Sequence, residues 1–417
     1  MAIILVAGQI NSVENDPNQL LNASASPTGS AVTASSSTTS GEMDYSRNND
    51  FSDIAAPSSA PALLPEEPAP QGADAEFSTD FTRHVVPYSE ILSGGPPKDG
   101  IPSLDNPRFV SVEAAQAWLG PVEPVIMLEV EGDVRAYPLQ ILMWHEIVND
   151  VVGGVPVLVT FCPLCNTAIA FDRELDGQVL DFGTTGRLRY SNLIMYDRQT
   201  ESWWQQASGE AIACCLVGRH LAFRPATMVS WTDFKAAHPT GKVLSRDTGF
   251  TRDYGQNPYS GYDNVNQSPF LYEGPRTPGT LPAMARVITV DLNNKAVAYP
   301  YDVLKNEHVI NDVVGGTHLA VFWTEGTASA LDAGAVADGR DVGSATVFSR
   351  EVNGKTLTFR FHEGRILDDL TNSEWDHLGR ALKGDLAGSR LSLVVSINHF
   401  WFSWAAFKPD TLVYSSP

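Results

Sequence analysis

The sequence predicts a β-rich α+β fold, arranged as two tandem pseudo-repeats of hairpin-built antiparallel sheets with few short helices. The first observation behind this is an internal duplication. Ala136-Tyr137-Pro138 through Asn149-Asp150-Val151-Val152-Gly153-Gly154 recurs as Ala298-Tyr299-Pro300 through Asn311-Asp312-Val313-Val314-Gly315-Gly316, displaced by a constant 162 positions. The second is a series of strand-length apolar runs bounded by Gly, Asn and Asp turn residues. The third is composition: 43% hydrophobic residues, with nine Trp and eighteen Phe in 417 residues, supply enough apolar surface for a core and exclude wholesale disorder.

Residues 1–84 read as an apolar start followed by an acidic tail or linker. The stretch holds eleven Asp/Glu against two Arg and is rich in Ser, Ala, Thr and Pro, as in SASPTGSAVTASSSTTSG. Its first eight residues, MAIILVAG, have the apolar character of a secretory signal but no basic start. Three readings stand: a truncated signal peptide, a strand that pairs elsewhere, or an unstructured end. An apolar start before a Ser/Pro-rich tether favours an extracytoplasmic protein, secreted or on the cell surface.

Residues 85–245 form the first β-rich repeat. VIMLEVEGDVRAYP reads as two strands about a tight turn, PLQILMWHEIV as a short helix entered through Pro, and VPVLVTF as a buried strand. Asp176-Gly177 is a hairpin signal, and VSWTDFKAAHP is a second short helix. Residues 246–279 are a connector with six aromatics among many Gly, Pro and Asn, too long and aromatic for an idle loop, so it is expected to pack across both copies or to cover a ligand.

Residues 280–417 repeat the pattern. VITVDLNNKAVAYP is again a strand pair, PYDVLKNEHVI a helix, THLAVFW a buried strand and Asn353-Gly354 a hairpin turn. FDRELDGQVLDF (171–182) matches FSREVNGKTLTF (348–359). Asp197, Thr200, Ser202 and Trp204 match Asp368, Thr371, Ser373 and Trp375, segments that read as turns with a buried Trp.

Several function classes fall away. A net charge of −21 argues against nucleic acid as a partner, and no apolar run is long enough for a transmembrane helix. No Gly-rich phosphate loop, zincin motif or nucleophile elbow is present, so neither a nucleotide nor a flavin is expected. One motif remains: Phe161-Cys162-Pro163-Leu164-Cys165-Asn166, directly after a strand. A C-x-x-C turn can direct both sulfurs at one metal ion, close a redox-active disulfide, or simply hold two core cysteines. His145, in Met143-Trp144-His145-Glu146, can bring an imidazole to the same sheet end, and Cys162, Cys165 and His145 together suit copper before zinc.

At the aligned positions of the second copy, Cys162 becomes Thr324, Cys165 becomes Thr327, His145 becomes Glu307 and Glu146 becomes His308. The chemistry is therefore expected in the first repeat, the second lacking the C-x-x-C. Cys214 and Cys215 follow GEAIA and read as strand residues facing opposite ways, hence structural. His308, His318 and His399 stand alone on their segments and read as structural, His399 within an aromatic run. Trp203, Trp204 and the connector tyrosines raise a weaker carbohydrate-binding reading, and Asp197 or Glu201 a weaker hydrolytic one.

The blocks HEIVNDVVGGVPVLVTFCPLCNTAIAFDREL, SNLIMYDRQTESWWQQASGEAI, VSWTDFKAAHPTGKVLSRDTGF and YGQNPYSGYD resemble a bacterial and archaeal family known as a domain of unknown function, DUF3179, over about residues 84–417. The resemblance implies that Cys162 and Cys165 belong to a family motif and that such proteins are exported, while Cys214 and Cys215 are peculiar to this chain. It implies no reaction. The leading expectation is an extracytoplasmic protein that binds a soft metal, or performs thiol–disulfide chemistry, at Cys162 and Cys165. The alternative is a structural surface or filament-forming protein that self-associates when its N-terminal tail adds a β-strand to a neighbouring subunit.

Overall fold

A computed structural model describes residues 61–416, so the expectations for the apolar start and for a strand-adding tail lie outside the described residues. Strands β1 (Pro124–Val130) and β2 (Asp133–Pro138) pair antiparallel about Glu131-Gly132, whose φ angles of 48° and 75° match the twist a two-residue hairpin turn needs. Pro138, with its extended backbone, then starts helix α1 (Leu139–His145), in which all seven side chains are buried. The helix ends where Glu146 adopts a left-handed φ of 57° and turns the chain into β3 (Ile147–Val152). Gly153-Gly154 closes the next hairpin, to β4 (Val155–Cys162), and β5 (Thr167–Asp172) adds to the far side of β4.

A meander follows, β6 (Phe182–Arg189), β7 (Asn192–Asp197), β8 (Trp203–Gln205) and β9 (Glu210–Ala213). Strand β10 (Ala226–Ser230) returns to pair with β1, and Ser230 caps helix α2 (Trp231–Ala237) by accepting the Asp233 amide. Strand β11 (Lys242–Leu244) runs parallel beside β2.

The same order of elements occurs again. It comprises β12 (Arg286–Leu292), β13 (Lys295–Pro300), α3 (Tyr301–Glu307), β14 (Val309–Val314), β15 (Thr317–Thr324) and β16 (Ser344–Ser349). A meander, β17 (Phe359–His362), β18 (Arg365–Asp368), β19 (Glu374–Trp375) and β20 (Ala381–Lys383), comes next. Strand β21 (Ile397–Phe400) pairs with β12 and leads into α4 (Trp401–Phe407), and β22 (Leu412–Val413) lies parallel to β13. The molecule is thus β-rich, with several antiparallel sheets and few short helices. No helix among the described residues is long and apolar enough to cross a membrane.

Polar side chains at equivalent places join the sheets. Asn149 accepts the Phe182 amide at 2.9 Å and donates to the Phe182 carbonyl at 2.8 Å, and Asn311 does the same to Phe359 at 2.8 and 2.7 Å. Tyr137 donates to Asp150 and Tyr299 to Asp312. Asp197 and Asp368 each gather a Thr hydroxyl and a buried Trp N–H, so the D-x-x-T-x-S-x-W segments are turns with a buried Trp.

Between the halves, β21 packs on β5 and β10 on β16, where Thr227 Oγ1 lies 3.0 Å from Thr346 Oγ1. The connector packs across both halves. Tyr254, Tyr259, Tyr262 and Tyr272 join the core of the first, and buried Asp263 accepts from Arg286 and Arg340 of the second.

The expected tail boundary at 84 is corrected by the packing of its last part. Residues 61–84 form a strap on the first half: His84 bridges Ala213, Cys214 N–H donates to Arg83 O, and the Phe77 and Phe81 rings both meet Trp203 edge-on at 5.1 Å. Two aromatics in a Ser/Pro-rich stretch anchor it, a signal that average composition hides. Replacing Phe77 by Ala removes a buried ring from between Tyr196 and Trp203, and is expected to cost about 3 kcal/mol, read as a lower midpoint in urea unfolding.

Candidate functional site

Cys162 is the last residue of β4, and Pro163–Cys165 make one turn of 3-10 helix before Asn166, at a left-handed φ of 50°, feeds the chain into β5. This compact reversal points both thiols the same way. Cys162 Sγ lies 3.8 Å and Cys165 Sγ 3.3 Å from the Ser191 carbonyl oxygen, which accepts from both. That oxygen is presented by the β6–β7 turn, where Tyr190 and Ser191 both take positive φ, 54° and 66°, a strained choice for residues with a Cβ. Ser191 Oγ in turn donates to Phe270 O of the connector at 2.5 Å.

Both cysteines are free and buried. Burial pushes the Cys162 thiol well above its ordinary range, and the adjacent Cys165 thiol adds to this, although the Leu193 and Cys165 amides approach the sulfur and favour the thiolate. Beside Cys162 stands Glu146. Burial, and then the proximity of Cys162, hold its carboxyl well above the usual carboxylate range, which favours the neutral acid. Among the described residues no protein group hydrogen-bonds this carboxyl. Glu146, Cys162 and Tyr259 line a cavity of about 30 Å³, room for one water molecule.

His145 is next to Glu146 in sequence but points elsewhere. Its Nδ1 lies 2.8 Å from Pro102 O and its Nε2 2.6 Å from Tyr254 OH, and burial lowers its pKa to about 4. The structure therefore brings Cys162 and Cys165 together and holds His145 in a separate hydrogen-bonded pair. Among the described residues no three His, Cys, Asp or Glu side chains form a group able to hold a metal ion. A four-ligand zinc centre does not fit this donor set, whereas two thiolates alone are donors that a monovalent copper ion accepts.

His399 reaches the site from the second half. Its Nδ1 is 2.7 Å from Thr167 Oγ1, which itself bonds Cys165 O at 3.2 Å, and its buried Nε2 has no partner. Sequence reasoning treats this histidine as core and has no route to Ser191 or Tyr259. Three further readings are corrected. Trp203 and Trp204 are fully buried and offer no face to a sugar, and Asp197 is occupied by Thr200 and Trp204. Cys214 and Cys215 lie beyond the end of β9, not in it, and their sulfurs converge to 2.8 Å. In the second half, His308 stacks on Phe361 and His318 faces Arg350.

The buried titratable groups make stability depend on pH in opposing senses. Unfolded His145 takes up a proton as pH drops below 6.5, whereas the folded form resists until about 4, so the unfolded state binds more protons across that window and folding loses about 3 kcal/mol there. Glu146 works oppositely: above 4.5 the unfolded carboxyl ionises while the folded one keeps its proton, so stability declines as pH rises. Urea unfolding measured against pH should show a flattened acid limb in His145→Gln, the remainder coming from His399, which burial lowers to about 3, from His238, which burial also lowers, and from carboxylates held low by their partners, such as Asp133 beside Arg135. It should show a smaller loss of stability as pH rises above 4.5 in Glu146→Gln.

No curated protein and no solved structure matches the chain. One family model does, described as Protein of unknown function (DUF3179), and it spans residues 98–411, taking in both halves, the C-x-x-C turn and the connector. By that match over most of its length, the chain belongs to the DUF3179 family.

Proposed function

We propose that Cys162 and Cys165 are a redox-active dithiol, with Glu146 as the group that exchanges protons with Cys162. The observation that carries this reading is the placement of an unpartnered buried carboxyl and the Cys162 thiol on one small cavity, beside a second thiol in a C-x-x-C turn. A carboxyl whose affinity for protons is raised by burial is a better match to a thiol than an ordinary one, which is what general acid–base transfer requires.

In the oxidative direction one thiol loses its proton and attacks a small-molecule disulfide, forming a mixed disulfide and releasing one thiol. The second cysteine, deprotonated in turn, attacks the cysteine sulfur of that mixed disulfide. A Cys162–Cys165 bond forms, the second small thiol leaves, and two electrons and two protons have passed to the co-reactant. We infer an extracytoplasmic setting from the acidic Ser/Pro-rich stretch, where the oxidised form is favoured.

The test is titration of the full-length protein against a dithiol–disulfide buffer, followed by alkylation and mapping of the peptide 136–173, which holds these two cysteines and no others. One two-electron transition joining Cys162 to Cys165 is expected. It should vanish in Cys165→Ser and close at least tenfold more slowly in Glu146→Gln. A pair that stays reduced throughout, but binds copper(I) with one equivalent per two thiols, overturns the redox reading in favour of a soft-metal site.

A further inference from the structure

A second thiol pair, unused by the dithiol reading, lies in the turn after β9. The strand ends at Ala213, and Cys214 then takes a φ of 76°, a conformation seldom adopted by a residue with a Cβ. The usual strand geometry would send adjacent side chains to opposite faces. Here the left-handed kink folds them back together, and the two sulfurs stand 2.8 Å apart, closer than non-bonded sulfurs normally approach.

The kink is imposed from outside the turn. Cys214 N–H donates to Arg83 O at 2.8 Å, and Cys214 Sγ accepts from the Asp80 amide at 3.4 Å, both within the strap. Cys214 is buried beneath that strap, while Cys215 is exposed. One sulfur is therefore reachable from solvent and the other is held against it.

We propose that Cys214 and Cys215 form a vicinal dithiol–disulfide couple, closed by a small-molecule disulfide reagent. Cys215, as thiolate, attacks the reagent's S–S bond and releases one thiol; Cys214 then loses its proton, attacks the Cys215 sulfur of the mixed disulfide and releases the other. One S–S bond forms as one breaks, two electrons pass to the reagent, and its two sulfurs take the two protons. Adjacent α-carbons are about 3.8 Å apart across a trans peptide, short of the roughly 4.4–6.8 Å that unstrained disulfides span, so the ring is readily reduced. A readily reduced bond serves as a reversible clasp under the strap, and not as a permanent staple. The Cys214 thiol, and then burial, hold Cys215 up to about 11, with Arg83 and Asp80 the charged groups facing it, so closure is slow at neutral pH.

The experiment treats the folded full-length protein with oxidised glutathione at alkaline pH, alkylates it under denaturing conditions and maps the peptide 199–219, which contains Cys214 and Cys215 and no other cysteine. The expected peptide is lighter by two hydrogen atoms and takes alkyl groups only after reduction. In Cys215→Ser, a change at an exposed position, that species disappears and Cys214 is alkylated. A glutathione adduct that persists on Cys215, or two thiols that still alkylate after prolonged treatment, overturns the proposal. Because Cys162 and Cys165 fall in the separate peptide 136–173, the oxidation of each pair is read independently, and either can fail to close while the other closes.

Discussion

Where one sheet hands over to the next, the Asn149 side chain satisfies both backbone groups of Phe182, its amide through Oδ1 and its carbonyl through Nδ2. Neither group can turn to water at that depth, and each would cost about 1–3 kcal/mol if left unpaired. The same solution occurs at Asn311 and Phe359. The Tyr–Asp pairs and the Asp-centred turns obey the same constraint. Much of what the two halves share most plainly in sequence is therefore polar. The apolar positions around these residues tolerate substitution among aliphatic side chains of similar volume, whereas a side chain that meets two fixed backbone groups does not.

On that common frame the two halves part in burial. Helix α1 is buried at every position, whereas α3 buries only Leu304. Strap, meander and connector close over the first half, so the α1–β3 reversal and the C-x-x-C turn lie inside. The second half leaves the residues equivalent to His145 and Glu146 at or near solvent: Glu307 bonds Ser416, and His308 rests on the exposed ring of Phe361. The cysteines occur in the half where the turn is buried, and the other half contributes to their surroundings through His399.

Much of this is legible from local chemistry. Gly153-Gly154, Asp176-Gly177 and Asn353-Gly354 mark their turns because they take positive φ at little cost. Hairpin register also places Glu146 opposite Phe161, one residue from Cys162, so the carboxyl–thiol neighbourhood follows from counting back from Gly153-Gly154. The rest depends on distant chain. Proximity in sequence aims His145 at the cysteines, but Pro102 and Tyr254 hold its ring, the latter 109 positions away. The convergence of Cys214 and Cys215 needs a positive φ enforced by Arg83 of a segment that composition assigns to a tether.

The dithiol site is electrostatically one-sided. The groups gathered around it favour their neutral forms: burial raises Cys162 and Glu146 and lowers His399. A dithiol is neutral and so is a disulfide, so both end states suit a low-dielectric surrounding without a counter-ion. The thiolate between them does not, and it cannot coexist cheaply with an ionised Glu146, since the two would be neighbouring like charges. Once Glu146 has given up its own proton, moving the Cys162 proton onto it makes the thiolate while the pair keeps a single negative charge, which passes to the leaving thiolate when the sulfur bond forms. On this view the barrier lies in proton placement and not in the stability of either redox state. A carboxyl that faces this cavity with no protein hydrogen-bond partner then has a physical reason to sit beside Cys162.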